Sequence, residues 1–112
     1  MSASKLTDYR FRPPGRRLAI TETLSTQGRD YTVTVGIDPG SGKPIEAWFQ
    51  HRGKAGGDLD VTLYDAGVLL SLAVQHGTPI RALHEKCAQP TSPVGLALQM
   101  MKEIDDERLG TK

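Results

Sequence analysis

The chain has 112 residues, 38% of them hydrophobic, which is enough for one small domain with a lean core. Lys and Arg number 14 against 13 Asp and Glu, and a net charge of +1 argues against a nucleic-acid or membrane surface covering the whole molecule. The single cysteine, Cys87, excludes an internal disulfide and a zinc site built from thiolates alone.

The first 16 residues, 1–16, are predicted to form a flexible basic arm. Together with Arg17 they carry five basic side chains against one acidic side chain, and two prolines and a glycine block regular structure. Arg16 and Arg17 lie where the arm meets the folded part and are candidates for contact with a partner. One domain is expected over residues 17–108, followed by a frayed tail over residues 109–112.

Three β-strands are predicted after the arm. The first runs from Leu18 to about Leu24 through a threonine-rich segment. The second shows the clearest alternation, with an apolar face made of Tyr31, Val33, Val35 and Ile37. The third covers residues 45–51. Turn-forming sequences at 27–30 and 38–44 join the strands, so we predict an antiparallel meander with one buried face.

Three α-helices follow, because the apolar spacing changes from two residues to three and four. The predicted helices cover residues 59–76, 79–87 and 93–107. Their predicted N-terminal caps are Asp58, Thr78 and Ser92. Gly77 is expected to end the first helix as its C′ residue. The fold class is therefore α+β, a three-stranded meander followed by three helices packed on one sheet face.

A metal site is one interpretation of the region around the second helix. His84 and Cys87 are three residues apart on that helix, and His76 precedes it, so the three could hold zinc with a water as fourth ligand. However, the spacing is not that of a compact zinc motif, and Cys87 also completes an apolar helix face. We therefore favour no metal and no other cofactor.

A phosphate-binding turn is a second interpretation, placed before the first helix. Lys54, Gly56 and Gly57 are its candidate residues, because glycine amides at a helix N-terminus can hold an anion. Asp58 and Asp60 would repel a phosphate at the same place. A simple connection between sheet and helix explains the segment as well, so nucleotide binding remains an alternative.

A protein interface is the third interpretation. Trp48 is the one aromatic residue on the polar face of its strand, and exposed tryptophan is common at binding hot spots. Together with Arg52 and the two arginines of the arm it gives the candidate interface set of Trp48, Arg52, Arg16 and Arg17. Cover of Trp48 by the N-terminal arm is an equally open alternative.

Two segments resemble a known family, the TSCPD domain. They are LSLAVQHGTPIRAL at residues 70–83 and TSPVGLA at residues 91–97. The family is named for a Thr-Ser-Cys-Pro-Asp motif. It occurs near the C-terminus of adenosylcobalamin-dependent ribonucleotide reductases and as small free-standing proteins. The likeness covers about residues 18–107 and implies a small α+β module accessory to nucleotide reduction.

The chain departs from this family where the family's suspected metal or redox chemistry resides. Thr91 and Ser92 match the motif, but Pro93, Val94 and Gly95 replace its Cys, Pro and Asp. A lone thiol elsewhere in the chain cannot form a cysteine cluster, so the metal chemistry is not carried over.

These observations together favour a non-catalytic binding or regulatory module that acts by protein contact. The resemblance implies a ribonucleotide reductase as partner, in deoxyribonucleotide synthesis, and self-association is the other candidate. A metal-binding or catalytic accessory of a ribonucleoside-diphosphate reductase and a nucleotide-binding module remain alternatives. We expect no catalytic residue and no nucleic-acid partner. Because the chain has no apolar run of about 18 residues and no secretory signal, we also expect no membrane contact and a cytoplasmic location.

Overall fold

The chain folds as an α+β domain. A computed structural model describes Arg10, Pro13 and Gly15 and residues 18–26, 28–52, 58–87 and 92–110, without the side chains of Arg52 and Asp58. Its elements in chain order are β1 (Leu18–Thr26), β2 (Arg29–Ile37), β3 (Pro44–Arg52), α1 (Asp58–Gln75), α2 (Ile80–Lys86) and α3 (Pro93–Arg108). The predicted fold, an antiparallel meander followed by three helices, is confirmed. The arm and the tail are described at too few positions to test, so both remain predictions.

The strands form one sheet in the order β1-β2-β3, and both pairs of neighbours are antiparallel. Thr26 pairs with Arg29, so β2 begins two residues before the predicted Tyr31. The connection is therefore shorter than the predicted turn, and Gly28 lies in it with φ of 76°. Such a positive φ suits glycine because it has no Cβ to clash with the backbone.

The core lies on one face of this sheet. All four predicted apolar residues of β2 are buried: Tyr31, Val33, Val35 and Ile37. Helix α3 crosses all three strands on this face and buries Ala97, Leu98 and Met101 completely. A sheet of three strands needs such a cover to be stable in water, because its apolar face is otherwise exposed.

Helix α1 lies along the outer edge of β3. The Ala47 N–H donates to Ser71 Oγ at 3.0 Å, and the Ser71 hydroxyl donates back to the Ala47 carbonyl at 3.2 Å. One turn later, Gln75 Nε2 donates to the Ile45 carbonyl at 3.1 Å. Two side chains of the helix thus satisfy backbone groups that a further strand would otherwise pair with. This contact fixes the position of α1 relative to the sheet.

The C-terminus of α1 explains one difference from the prediction. Gly77 has φ of 102° and its N–H donates to the Val74 carbonyl, while the Thr78 N–H donates to the Ala73 carbonyl. This pair of bonds is a Schellman motif with Gly77 at C′, as predicted. Thr78 was predicted to cap α2. That was wrong, because Thr78 closes α1 and Pro79 occupies the N-cap position of α2 without any side-chain bond.

The N-terminus of α3 agrees with the prediction. Ser92 is its N-cap, and Ser92 Oγ accepts the Gly95 N–H at 2.8 Å. Pro93 follows in the first turn, where its missing N–H costs nothing and its fixed φ suits the helix. The third predicted cap, Asp58, is the first residue of α1, and its side chain lies outside the described part of the structure.

Candidate protein-binding surface

The outward side of α1 is apolar, although it faces solvent. Tyr64 is 62% exposed and Leu69 is 68% exposed, and no charged side chain other than Asp65 lies between Val61 and Leu72. Residues at intervals of three, four and seven share one side of a helix. The apolar residues on this side of α1 and the indole of Trp48 in β3 form what we call the α1–Trp48 surface: Trp48, Val61, Tyr64, Val68, Leu69 and Leu72.

Trp48 is held in a fixed position at the border of β3 and α1. Its indole Nε1 donates to Glu46 Oε1 at 3.0 Å, and its ring centroid lies 6.2 Å from that of Tyr64. Gly67 of α1 allows this contact, since a Cβ there would lie 3.1 Å from Trp48 Cε3. The side chain nevertheless remains 37% exposed. Rigid, partly exposed aromatic groups are typical anchors of protein interfaces.

Glu46 was not identified as important from the sequence, although its carboxylate supports Trp48. The side chain is buried on the polar side of the sheet, opposite Gly36 of β2. A Cβ added at Gly36 would overlap the Glu46 side chain, so only glycine leaves room for it. The signal in the sequence was this glycine, which interrupts an otherwise regular alternation of threonine and valine in β2.

A cavity of about 440 Å³ lies beside Trp48 and extends toward the C-terminal end of α1. Two residues of the N-terminal segment line it, Arg10 and Pro13, together with Val68, Leu72 and Gln75 among others. Arg10 Nε donates to Gln75 Oε1 at 2.6 Å. Part of the predicted arm therefore lines the same cavity as Trp48, which is 37% exposed, and cover of the indole by the arm residues outside the described part stays a prediction.

The other predicted interface residues cannot be placed. Arg16 and Arg17 lie outside the described residues, and the Arg52 side chain does too, although its backbone belongs to β3. The candidate phosphate-binding turn with Lys54, Gly56 and Gly57 falls in residues 53–57, which are also outside the described part. These assignments stay predictions.

The three candidate metal ligands are all described. His76 lies in the turn after α1, His84 on α2, and Cys87 at the exposed C-cap of α2. Among the residues that the structure describes, no three His, Cys, Asp or Glu side chains are grouped so that they could hold a metal ion. The structure thus does not bring His76, His84 and Cys87 together as a ligand set.

A second cavity, of about 370 Å³, lies between the β2–β3 loop and the end of α1. Asp38, Lys43 and His76 line it. The Asp38 carboxylate serves the loop itself, since it accepts the Ser41 hydroxyl at 2.7 Å and the Ser41 N–H at 3.2 Å. The Asp38 carboxylate is therefore used in forming the loop.

Within the described residues, no helix has the length and apolar character needed to cross a membrane. Comparisons with protein-family models, with curated proteins and with solved structures found no match to this chain. The resemblance to the TSCPD domain therefore remains a prediction.

Proposed function

We propose that this protein is a non-catalytic binding module that acts by contact of the α1–Trp48 surface with a protein partner. One observation carries the proposal, the apolar outward side of α1. A helix that is apolar all round is normally buried, whereas α1 is covered on one side only. Contiguous exposed apolar patches of this kind mark interaction sites in soluble proteins.

The composition of the surface supports a protein partner over a small ligand. Trp and Tyr are enriched at the centres of protein interfaces, and here Trp48 and Tyr64 are in ring contact at the middle of the patch. Aliphatic residues on both sides, such as Val61 and Leu69, provide the apolar area around them. A small ligand would instead require polar groups that converge on it, whereas Glu46 and Gln75 beside the cavity bond to the indole, to Arg10 and to the Ile45 carbonyl.

The charge on the surface defines the chemistry of the partner. Helix α1 contains three aspartates and no basic residue, and Asp65 lies within the exposed apolar side. A matching surface presents an apolar helix face with a Lys or Arg beside it, since an uncompensated carboxylate in an interface is unfavourable. We therefore propose a partner helix with an apolar face and a basic margin.

A site-specific photo-crosslinker tests this proposal in cells. Benzoylphenylalanine in place of Tyr64 is expected to give one discrete adduct with one protein. The same group in place of Leu109, which is also exposed but lies at the end of α3, is the control and is expected to give none. The crosslinked protein is then identified and purified.

Binding of that purified protein supplies the decisive measurement. Trp48 is the only tryptophan of the chain, so its fluorescence reports occupancy of the surface directly. Leu69→Lys is expected to weaken binding about thirtyfold, equivalent to about 2 kcal/mol, because it places a charge on the apolar patch. Equal adducts from both crosslinker positions, or equal affinity of wild type and Leu69→Lys, would contradict the proposal.

The partner class implied by the resemblance can be examined with the same variants. If that partner is a ribonucleotide reductase, the purified reductase binds wild type and binds Leu69→Lys about thirtyfold more weakly. The module then serves deoxyribonucleotide synthesis without a catalytic group of its own. Binding that is unaffected by Leu69→Lys would remove this partner from the proposal.

A further inference from the structure

Within the described part of the chain, the outer edge of β1 has no partner strand. The strand has nine residues and pairs with β2 on one side, and no described residue pairs with its other side. Natural proteins protect such edges with lysine, proline, a bulge or a short strand. β1 contains no Lys, Arg or Pro, its register with β2 is regular, and Glu22 is its only charged residue.

The hydrogen bonds on the opposite edge show which backbone groups of β1 point outward. Ala47 of β3 bonds to Ser71 of α1, so its N–H and C=O point away from β2. Its pair in β2, Val35, therefore points toward β1, where it pairs with Ile20. Backbone direction alternates along a strand, so the outward groups of β1 belong to Ala19, Thr21, Thr23 and Ser25.

β1 also carries exposed apolar side chains on the core side of the sheet. Leu18 is 60% exposed and Ile20 is 38% exposed. Farther along the same face, Leu24 packs against the core cluster. An edge strand with free backbone groups and apolar residues in alternate positions has the features of a strand-pairing site.

We propose that a second copy of this chain pairs with β1 in antiparallel orientation, across a two-fold axis through the Thr21 pair. Only registers that set outward residues against outward residues join the free backbone groups. A register centred on Glu22 would place two carboxylates directly opposite each other, which is unfavourable. Centring on Thr21 pairs residues 18–24 of each strand and sets Ile20 opposite Glu22 of the second copy.

This register also buries the exposed leucine. Leu18 lies opposite Leu24 of the second copy, and Leu24 already contacts the core of its own chain. The apolar surface of Leu18 thereby joins the core of the second copy, and the symmetric contact does the same in return. Moving the axis farther along β1, to Thr23, would leave Leu18 beyond the paired region.

The covered edge of β3 explains why the assembly ends at two chains. Ser71 and Gln75 of α1 bond to the Ala47 N–H and C=O and to the Ile45 C=O, and α1 lies along that edge, so it is closed to a further strand there. Pairing through β1 joins two sheets of three strands into one continuous sheet with an α1 helix at each outer edge. An extended peptide would fill the same edge, but only a second copy pairs both strands symmetrically and leaves no edge of the described sheet open.

Molar mass in solution gives the first test. Light scattering on wild type at about 100 µM is expected to give twice the mass of one chain, because dissociation constants up to the micromolar range then favour dimer. Thr21→Pro is expected to give a monomer, because it removes an N–H that the monomer's own ladder does not use. Leu69→Lys, on the α1–Trp48 surface, is the matched control and stays dimeric.

A second variant and a crosslink keep the test decisive if Thr21→Pro fails to fold. Leu18→Lys, at a side chain exposed in the monomer, is expected to give a monomer as well. In a Cys87→Ser background, Thr21→Cys is expected to form an intermolecular disulfide at least about tenfold faster than Thr23→Cys, because residues paired across the axis lie about 5.5 Å apart.

Three results would overturn the proposal. They are a monomeric wild type at this concentration, equal crosslinking rates of the two cysteine variants, and a dimer that Leu69→Lys dissociates while Thr21→Pro does not. The last result would assign self-association to the α1–Trp48 surface. A failure here leaves the proposed function intact, since that rests on different residues and a different partner.

Discussion

Each of the two edges of the sheet has backbone N–H and C=O groups that no neighbouring strand of the described sheet pairs with, and the two edges differ in what those groups contact. At β3, side chains of α1 bond to the Ala47 N–H and C=O and to the Ile45 C=O, so these groups of the edge have partners. At β1, the backbone groups of four residues point outward with no described partner strand, and Leu18 and Ile20 are exposed. The difference indicates that one edge is structural and that the other is available for pairing.

The covered edge imposes constraints that the open edge does not have. Helix α1 carries Ser71 and Gly67 in its interior, and neither is a strong helix former. Ser71 is required for its two bonds to Ala47, and Gly67 for the closeness of helix and strand, since a Cβ there would lie 3.0 Å from the Ala47 carbonyl oxygen. Both residues are unfavourable for an isolated helix, but here they allow α1 to pack against the edge of β3.

The largest expected effect comes from breaking the covered edge with Ser71→Ala. Ser71 is buried and makes both bonds to Ala47, so its removal leaves a buried N–H and a buried C=O without partners. Each unsatisfied buried group costs about 1–3 kcal/mol, and we expect unfolding free energy to fall by about 3 kcal/mol. Urea denaturation followed by circular dichroism measures this change.

Native-state hydrogen exchange locates the effect of Ser71→Ala. The amide of Ala47 is expected to lose protection, because its acceptor is the missing hydroxyl. The backbone amides that bond between β1 and β2 should still be protected from hydrogen exchange, to the degree that the remaining unfolding free energy of the variant allows. A loss below about 1 kcal/mol would mean that water replaces the hydroxyl and that α1 does not seal this edge.

A smaller change in unfolding free energy is expected from Gly67→Ala. Whether this change is a loss or a gain shows how closely α1 packs against the edge of β3. On an open helix surface this change stabilises by about 1 kcal/mol, because alanine is the better helix former. Here the new methyl group would press on the Ala47 carbonyl oxygen and the Trp48 ring, so we expect a net loss of about 1–2 kcal/mol.

Urea denaturation measures this loss, and the emission of Trp48, the only tryptophan, reports any displacement of its ring. Ala73→Gly on the same helix is the control and is expected to cost about 1 kcal/mol from helix propensity alone. Stabilisation by Gly67→Ala would show that helix and strand are not in close contact.

Much of the fold was predictable, because local patterns and long-range packing agree. The alternation of Tyr31, Val33 and Val35 identifies the buried face of β2 directly, and Ser92 precedes its helix with the residue type that caps favour. Thr78 shows the limit. Its type suits a cap, but its N–H closes the preceding helix, a choice between two neighbouring helices that spacing alone does not decide.

The candidate site was less predictable, because it depends on which side of α1 meets the sheet. Trp48 could be placed on the polar face of β3, since strand alternation fixes the face of each residue. The position of α1 along the edge depends on Ser71 reaching Ala47, a contact between residues 24 apart in the chain. Helix α1 is apolar on more than one side, and this contact determines which apolar side remains exposed.

Ser92→Ala is expected to have a moderate effect that does not distinguish the edges. Ser92 Oγ accepts the Gly95 N–H, and loss of an N-cap of this kind costs about 1 kcal/mol. Because α3 crosses β1, β2 and β3, hydrogen exchange should rise by the same factor at both edges. A rise confined to one edge would mean that α3 stabilises only the strand beside it.

The smallest effect is expected from Thr21→Ala on the open edge, the counterpart of Ser71→Ala. Thr21 also loses a hydroxyl that makes a hydrogen bond, to Thr34 Oγ1 at 3.0 Å, but both groups are exposed and water replaces the bond. We expect unfolding free energy to fall by about 0.5 kcal/mol in urea denaturation. The ratio of the two losses of unfolding free energy, about sixfold, then measures how much more a buried hydroxyl contributes to stability than an exposed one. A loss from Thr21→Ala equal to that from Ser71→Ala would show that the Thr21 hydroxyl is buried in solution. Thr21→Pro would decide whether the second copy buries it.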